Sequence, residues 1–284
     1  MGRKHRRPRV DEQALRVEKI VAAVRNSPKY RTVCEDVIRR IAHDELPKWR
    51  SPRLALKAVK NRLHQVGGAY LRGPMAYDLW LGALRELGTP PPEDELRKAC
   101  RLIMRAHAST RERLPILEEF YARTLGPIAP VHSVLDLACG LNPLAIPWMP
   151  LASDARYYAY DIYEDMTAFV AGFLALLGVE GEAAARDLTQ ITPPQPVDVA
   201  LILKTIPCLE QIDKSLGLRL LEQVNARHVL VSFPVRSLGG RAKGMTQHYT
   251  QHLEALLAEK DWPVQRFEFA TELAFLVSKP EAGV

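Results

Sequence analysis

The chain of 284 residues lacks most of the features that would mark a secreted, membrane-bound or metal-dependent protein. Its four cysteines, Cys34, Cys100, Cys139 and Cys208, lie far apart and form no CxxC pair. That spacing gives neither a disulfide scaffold nor a zinc framework. No metal is therefore expected, and the thiols read as reduced and mostly buried in a cytoplasmic protein. No apolar run is long enough to cross a bilayer without a charge. The opening "MGRKHRRPRV" is basic with no apolar segment behind it, so it does not read as a secretory signal. Arg6 stands where a myristoylation site needs Ser or Thr. There is no Gly-x-Gly-x-x-Gly to wrap a dinucleotide pyrophosphate and no phosphate-binding P-loop. No Gly-x-Ser-x-Gly elbow or Ser/His/Asp order suggests a hydrolase.

Charge is unevenly placed. Residues 1–62 hold 18 Lys+Arg against 7 Asp+Glu, a net of +11, whereas the whole chain is +6. A basic front end on a slightly acidic body suggests a polyanion partner, against the plainer reading of a solvated helical surface. Residues 1–10 are expected to form a disordered basic tail, and 11–126 a helical region. Apolar periodicity places Leu15, Ile20, Val21 and Val24 on one helix face, and Val33, Val37, Ile38 and Ile41 on another. In "SPRLALKAVKNRLHQVGGAY" Ser51 is a candidate cap, Pro52 the first helical residue and Gly67-Gly68 the stop. One helix is expected to start near Glu93 and another to cover "STRERLPILEEFYARTL".

After Pro127 the texture changes. The short apolar runs "SVLDLA", "RYYAYDI", "EAAARDL", "VDVALILK", "RHVLVSFP" and "ELAFLVSK" alternate with helical stretches at Glu164–Leu177, Asp213–Val224 and Gln247–Glu259. This predicts an α/β fold over 127–284: a doubly wound parallel sheet with ligands at the C-terminal strand ends. Those ends carry Asp136, Asp161, Asp187 and Lys204 in turn. A carboxylate after the second strand can accept from ribose hydroxyls, and one after the third from an adenine amino group. Ala138 and Gly140 let the backbone come close to a ligand. With no glycine triad for a pyrophosphate, S-adenosylmethionine fits best: one nucleoside, an amino-acid end and no phosphate. Its carboxylate needs a cation, for which Arg111 or Arg113 is placed.

Signals for the acceptor are weaker. No NPPY-like motif follows the fourth strand, where the sequence is "LILKTIPCLE". A ring nitrogen with a free lone pair needs alignment and no general base. In "VSFPVRSLGGRAKGM", Arg236, Arg241 and Lys243 alternate with glycines, which suits a phosphate. Phe233 is a candidate for stacking on an extruded base, against the plainer reading of a core aromatic.

The stretches "SPKYRTVCEDVIRRIA", "HASTRERLPILEEFY", "LDLACGLNPLAIPWM", "LILKTIPCLE" and "SFPVRSLGGRAKGM" together resemble the aminoglycoside-resistance 16S rRNA (guanine-N7) methyltransferases. The resemblance runs over roughly Ser27 to Lys279. It implies a Rossmann-like S-adenosylmethionine-dependent methyltransferase domain with an N-terminal helical extension. The implied target is guanosine 1405 in helix 44 of 16S rRNA within the 30S subunit. Methylation there blocks 4,6-disubstituted deoxystreptamine drugs. By the same resemblance Arg113 holds the methionine carboxylate. Ala138, Gly140 and Asn142 line the cofactor, Asp161 takes the ribose hydroxyls, Asp187 lies near adenine, Ile162 and Leu188 join the cofactor-binding set, and Lys204 sits beside the pocket. Lys29, Arg31, Arg39, Arg40, Lys57, Lys60 and Arg62 become rRNA-docking candidates. A cytoplasmic monomer releasing S-adenosylhomocysteine is expected. Chemistry leaves two alternatives open: methylation of an adenosine N1, or an RNA-binding protein with an inactive methyltransferase fold.

Overall fold

The computed structural model describes residues 12–68, 70, 75–190, 192–235 and 244–280. The expected basic tail and Arg236, Arg241 and Lys243 lie outside the described residues.

Among the described residues seven α-helices precede the sheet: α1 (Glu12–Arg25), α2 (Glu35–Glu45), α3 (Pro52–Leu63), α4 (Tyr77–Glu86), α5 (Glu93–Met104), α6 (Ala108–Arg113) and α7 (Leu117–Leu125). On α1 the buried face is Val17, Ile20, Val21 and Val24. Leu15 is exposed, contrary to expectation: two residues before Val17 lies about 200° round the helix from it. Pro52 opens α3 as expected, but Ser51 makes no side-chain capping bond. The helix passes through a π turn, His64–Gly68, at the glycine stop. The helix expected over "STRERLPILEEFYARTL" is two, α6 and α7, joined by a 3-10 turn at Leu114–Ile116. Pro115 cannot donate a helical hydrogen bond, which accounts for the break.

The strands are β1 (Val131–Leu137), β2 (Leu151–Asp161), β3 (Glu180–Ala185), β4 (Val197–Leu203), β5 (Ala226–Pro234), β6 (Val264–Glu268) and β7 (Glu272–Ser278). Their spatial order is β3-β2-β1-β4-β5-β7-β6. The sheet is mixed: the first five strands pair in parallel, while β7 is antiparallel to both β5 and β6. β6 escaped the sequence reading because "VQRFE" sits at the edge, largely exposed, with no apolar run to betray it. Helices α8 (Glu164–Leu177), α9 (Ile206–Leu209), α10 (Leu216–Gln223) and α11 (Met245–Leu256) complete the α/β part.

The sheet is covered on both faces. In β4, Val199, Leu201 and Leu203 belong to one core, while Ala200 and Ile202 belong to the other. A strand buried on both sides reads as a continuous apolar run. The first core is shared with the helical region and extends from Val17 through Phe173 to Leu276. The backbone joins the two regions as well. Cys34 N donates to Ile162 O at 2.8 Å, and Glu164 N donates to Thr32 O at 2.7 Å. Val33 thereby forms a bridge with Tyr163 at the end of β2, and is buried before α2 begins.

At the other sheet edge, Gly181 of β3 has φ +146, and a Cβ there would lie 1.9 Å from Tyr157 O. Gly181→Ala should unpair β3 from β2 and lower stability by about 2 kcal/mol or more. The urea midpoint measures this; an unshifted midpoint would contradict the packing.

Candidate active site at the strand ends

The strand order reverses between β1 and β4, where open α/β sheets bind ligands. A cavity of about 900 Å³, its mouth included, lies there. Its wall contains Arg113, Ala138, Asn142, Asp161, Ile162, Asp187, Leu188 and Lys204. The fold thus brings together eight residues expected from sequence, drawn from four strand ends and α6. Gly140 stands just behind: its N–H donates to Asp161 Oδ2 at 2.9 Å, and a Cβ there would meet His107 at 2.8 Å.

Two wall residues hold a backbone conformation unusual for side-chain-bearing residues. Ala138 has φ +54 and Lys204 has φ +59. Such strain persists where the surroundings enforce it, and it clusters at functional sites. Ala138 is exposed to the cavity although its neighbours are buried.

The carboxylates are buried and hydrogen-bonded. Asp161 takes N–H bonds from Gly140 and from Ile162, the latter at 2.6 Å. Burial nevertheless raises its pKa, against the pull of those amides. Asp136 accepts from Asn142 Nδ2 at 2.9 Å and Tyr157 OH at 2.7 Å, and burial pushes it up to about 7. Asp187 accepts from Thr189 N and Oγ1 at one oxygen and from Arg40 Nε at 2.6 Å at the other.

The cations are equally committed. Arg113 is fully buried and donates through Nε and Nη2 to Glu272, at 3.1 and 2.6 Å. Its Nη1 donates to Asn142 Oδ1 at 2.7 Å. Burial opposes its charge, but Glu272 raises the pKa well above the ordinary value. Lys204 Nζ lies 2.9 Å from Glu112 and 3.3 Å from Glu272. Burial works against an ionised Glu272, yet Arg113 and Lys204 outweigh it and hold its pKa below the usual carboxylate value.

Two expectations are corrected, those for Phe233 and Arg40. Phe233 has no exposed surface; it stacks on Tyr249 at 4.6 Å and cannot receive a base. Arg40 is turned inward onto Asp187, with 12% of its side chain exposed, and is a wall of the cavity and not a free phosphate contact. Arg39 is paired with Glu18, Glu35 and Asp36. Arg62 donates to Gln211 O. Lys29, Arg31 and Lys57 are exposed, and Lys60 is half-buried.

The sequence reading missed Tyr70, His107, Ser109, Thr189 and Cys208, all in the wall. The run "HAS" directly before "TRER" was the available signal for two of them. Tyr70 OH lies 2.8 Å from Cys208 Sγ, and its ring stacks on His107.

The family model described as Ribosomal RNA methyltransferase (FmrO) matches residues 26–276. The chain is similar to the 16S rRNA (guanine(1405)-N(7))-methyltransferase of Micromonospora echinospora, at 38% identity over 93% of this chain and 97% of that one. It is 39% identical to the protein so named in Frankia casuarinae, over 95% of this chain and 96% of that one. To the one from Serratia marcescens it is 32% identical, over 93% and 99%. Among solved structures, 16S rRNA methyltransferase RmtF in complex with S-adenosyl-L-homocysteine superposes with a TM-score of 0.78 at 31% identity, covering 95% of this chain and all of that one.

Burial holds the His107 pKa down at about 4, and its Nδ1 has no hydrogen-bond partner among the described residues. The unfolded chain binds a proton near pH 6.5 that the folded chain refuses until about pH 4. Stability is therefore full above that upper value and declines as pH falls toward the lower one. His107→Gln should flatten this decline in urea midpoints measured between pH 7 and pH 4.5. An identical slope in the variant would assign the acid sensitivity elsewhere.

Proposed function

The chain belongs to the ribosomal RNA methyltransferase (FmrO) family, and from that premise we propose that it methylates N7 of guanosine 1405 in 16S rRNA, with S-adenosylmethionine as donor. The observation that carries this reading is the convergence of strand-end carboxylates and one buried guanidinium on a single cavity at the sheet's switch point.

The residues present fit the donor. Asp161 offers carboxylate oxygens at the end of β2 for the ribose, and Leu188 beside Asp187 offers an apolar surface for the adenine. Ala138 and Lys204, at positive φ, bring main chain against the cavity. Arg113 supplies the cation for a carboxylate. The donor, when bound, supplies an electrophilic methyl group on a sulfonium. Guanine N7 already holds a lone pair, so the protein needs to remove no proton. Its task is to hold an extruded base in line with the methyl group, which is a matter of orientation.

Docking falls to the helical region, residues 11–126, through Lys29, Arg31, Lys57 and Lys60. Phosphate contacts orient the enzyme on the folded 30S subunit, and shape more than sequence selects the site. The protein acts as a monomer in the cytoplasm, where helix 44 of the assembled subunit is available. Among the described residues no helix is long and apolar enough to cross a membrane. The methylated decoding site is expected to resist 4,6-disubstituted deoxystreptamines.

Incubation of purified 30S subunits with the protein and donor, followed by mapping of the modified nucleotide, tests the assignment; a methyl group on any other atom would overturn it. Asp161→Ala should abolish donor binding and drug resistance, and full retained resistance would sink the assignment of the cofactor site. Charge reversal at Lys57 and Lys60 should weaken 30S binding and leave donor affinity unchanged. Equal losses of both affinities would contradict separate docking and cofactor surfaces.

A further inference from the structure

One buried carboxylate in the cavity's surroundings has no part in the scheme above. Glu272 opens β7, is fully buried, and stands on the strand that reverses direction in the sheet. Its two oxygens receive Arg113 Nη2 at 2.6 Å and Arg113 Nε at 3.1 Å. The second oxygen also lies 3.3 Å from Lys204 Nζ. One side chain therefore touches two cations of the cavity wall, Arg113 and Lys204.

Counting donors separates those cations. An ammonium has three N–H groups and a guanidinium five. Lys204 Nζ donates to Glu112 Oε2 at 2.9 Å and to Ser109 O at 3.4 Å, and pairs as an ion with Glu272 Oε2 at 3.3 Å. Two carboxylates thus share its charge. Arg113 spends Nε and one Nη2 hydrogen on Glu272, and one Nη1 hydrogen on Asn142. Among the described residues nothing else takes an N–H of Arg113, which leaves one on each terminal nitrogen, the number a carboxylate accepts in a two-point pair. The bond through Nε fixes the plane of the guanidinium, since rotation about the last side-chain torsions would break both contacts to Glu272 together.

We propose that Glu272 is a positioning residue for the amino-acid end of the methyl donor. It holds Arg113 in the orientation that leaves its two free N–H groups for the donor carboxylate, and it occupies Lys204 so that this ammonium does not compete. The proposal rests on the cofactor reading given above.

The test compares two ligands that share a nucleoside. S-adenosylhomocysteine carries the amino-acid end, and 5′-methylthioadenosine lacks it. Calorimetric titration of the full chain with each should show the wild type favouring S-adenosylhomocysteine. Glu272→Gln should weaken S-adenosylhomocysteine by about tenfold or more and leave methylthioadenosine nearly unchanged. Equal weakening of both ligands marks a merely structural residue and overturns the proposal, as does an unaltered S-adenosylhomocysteine affinity. Glu272→Asp retains the charge and so guards against a variant that fails to fold. Its shorter reach should also cost S-adenosylhomocysteine selectively; full retention would make charge alone sufficient and refute positioning. A wild type that binds the two ligands equally would instead remove the proposed seat of the carboxylate, a failure distinct from that of Glu272.

Discussion

The structure depends first on a short backbone union between the helical region and the end of β2. Thr32 and Cys34 exchange hydrogen bonds with Glu164 and Ile162, across about 130 residues of chain. These peptide groups are satisfied by one another, and the side chains beside them, Val33 and Tyr163, are buried. Because the union is made at the C-terminal end of a strand next to the switch point, the helices are brought over the cavity. Val37, Arg40 and Gly67 then become walls of a site whose floor belongs to the sheet.

Inside that enclosure, electrostatics govern which groups can work. Buried carboxylates and cations lie within one low-dielectric volume, where an unpaired charge is costly. Three of them meet an opposite charge from a different part of the chain, Asp187 from Arg40 of α2, Arg113 from Glu272 of β7 and Lys204 from Glu112 of α6, while Asp136 and Asp161 accept hydrogen bonds from uncharged groups. The uncharged Asn142 and Tyr121 carry the network on to Asp136. A site wired in this way is already oriented before a ligand enters, and preorganisation of that kind reduces the cost of binding.

Much of this was legible in the chain itself, for local reasons. Asp161 and Asp187 could be picked out because a carboxylate directly after an apolar run marks a strand end, and strand ends of such sheets face ligands. The single-glycine turn after Asp136 was legible because the missing glycines excluded a pyrophosphate. Helix α8 was bounded correctly by its apolar content and by Gly178, which takes a left-handed conformation at the helix end. The misses have equally definite causes. Phe233 and Leu15 were misjudged because exposure depends on what packs against a residue: Tyr249 covers the first, and the second is left 48% exposed among the described residues. Arg40 looked like its basic neighbours, since a residue name does not record which face of α2 meets Asp187. Strand β6 was lost because it gains its pairing from β7 and buries little of its own.

The sequence by itself determined the change from helical to alternating texture after Pro127, the basic front end and the strand-end acids, which are written in charge, spacing and periodicity over a few residues, and five motif stretches carried the resemblance to the family. The tertiary structure alone decided the rest. It set β7 antiparallel between β5 and β6, placed Glu272 against Arg113 from 159 positions away, and turned Arg40 onto Asp187 from 147. The physical reason is that a buried charge needs a partner in space, and no local pattern specifies which distant segment will supply it.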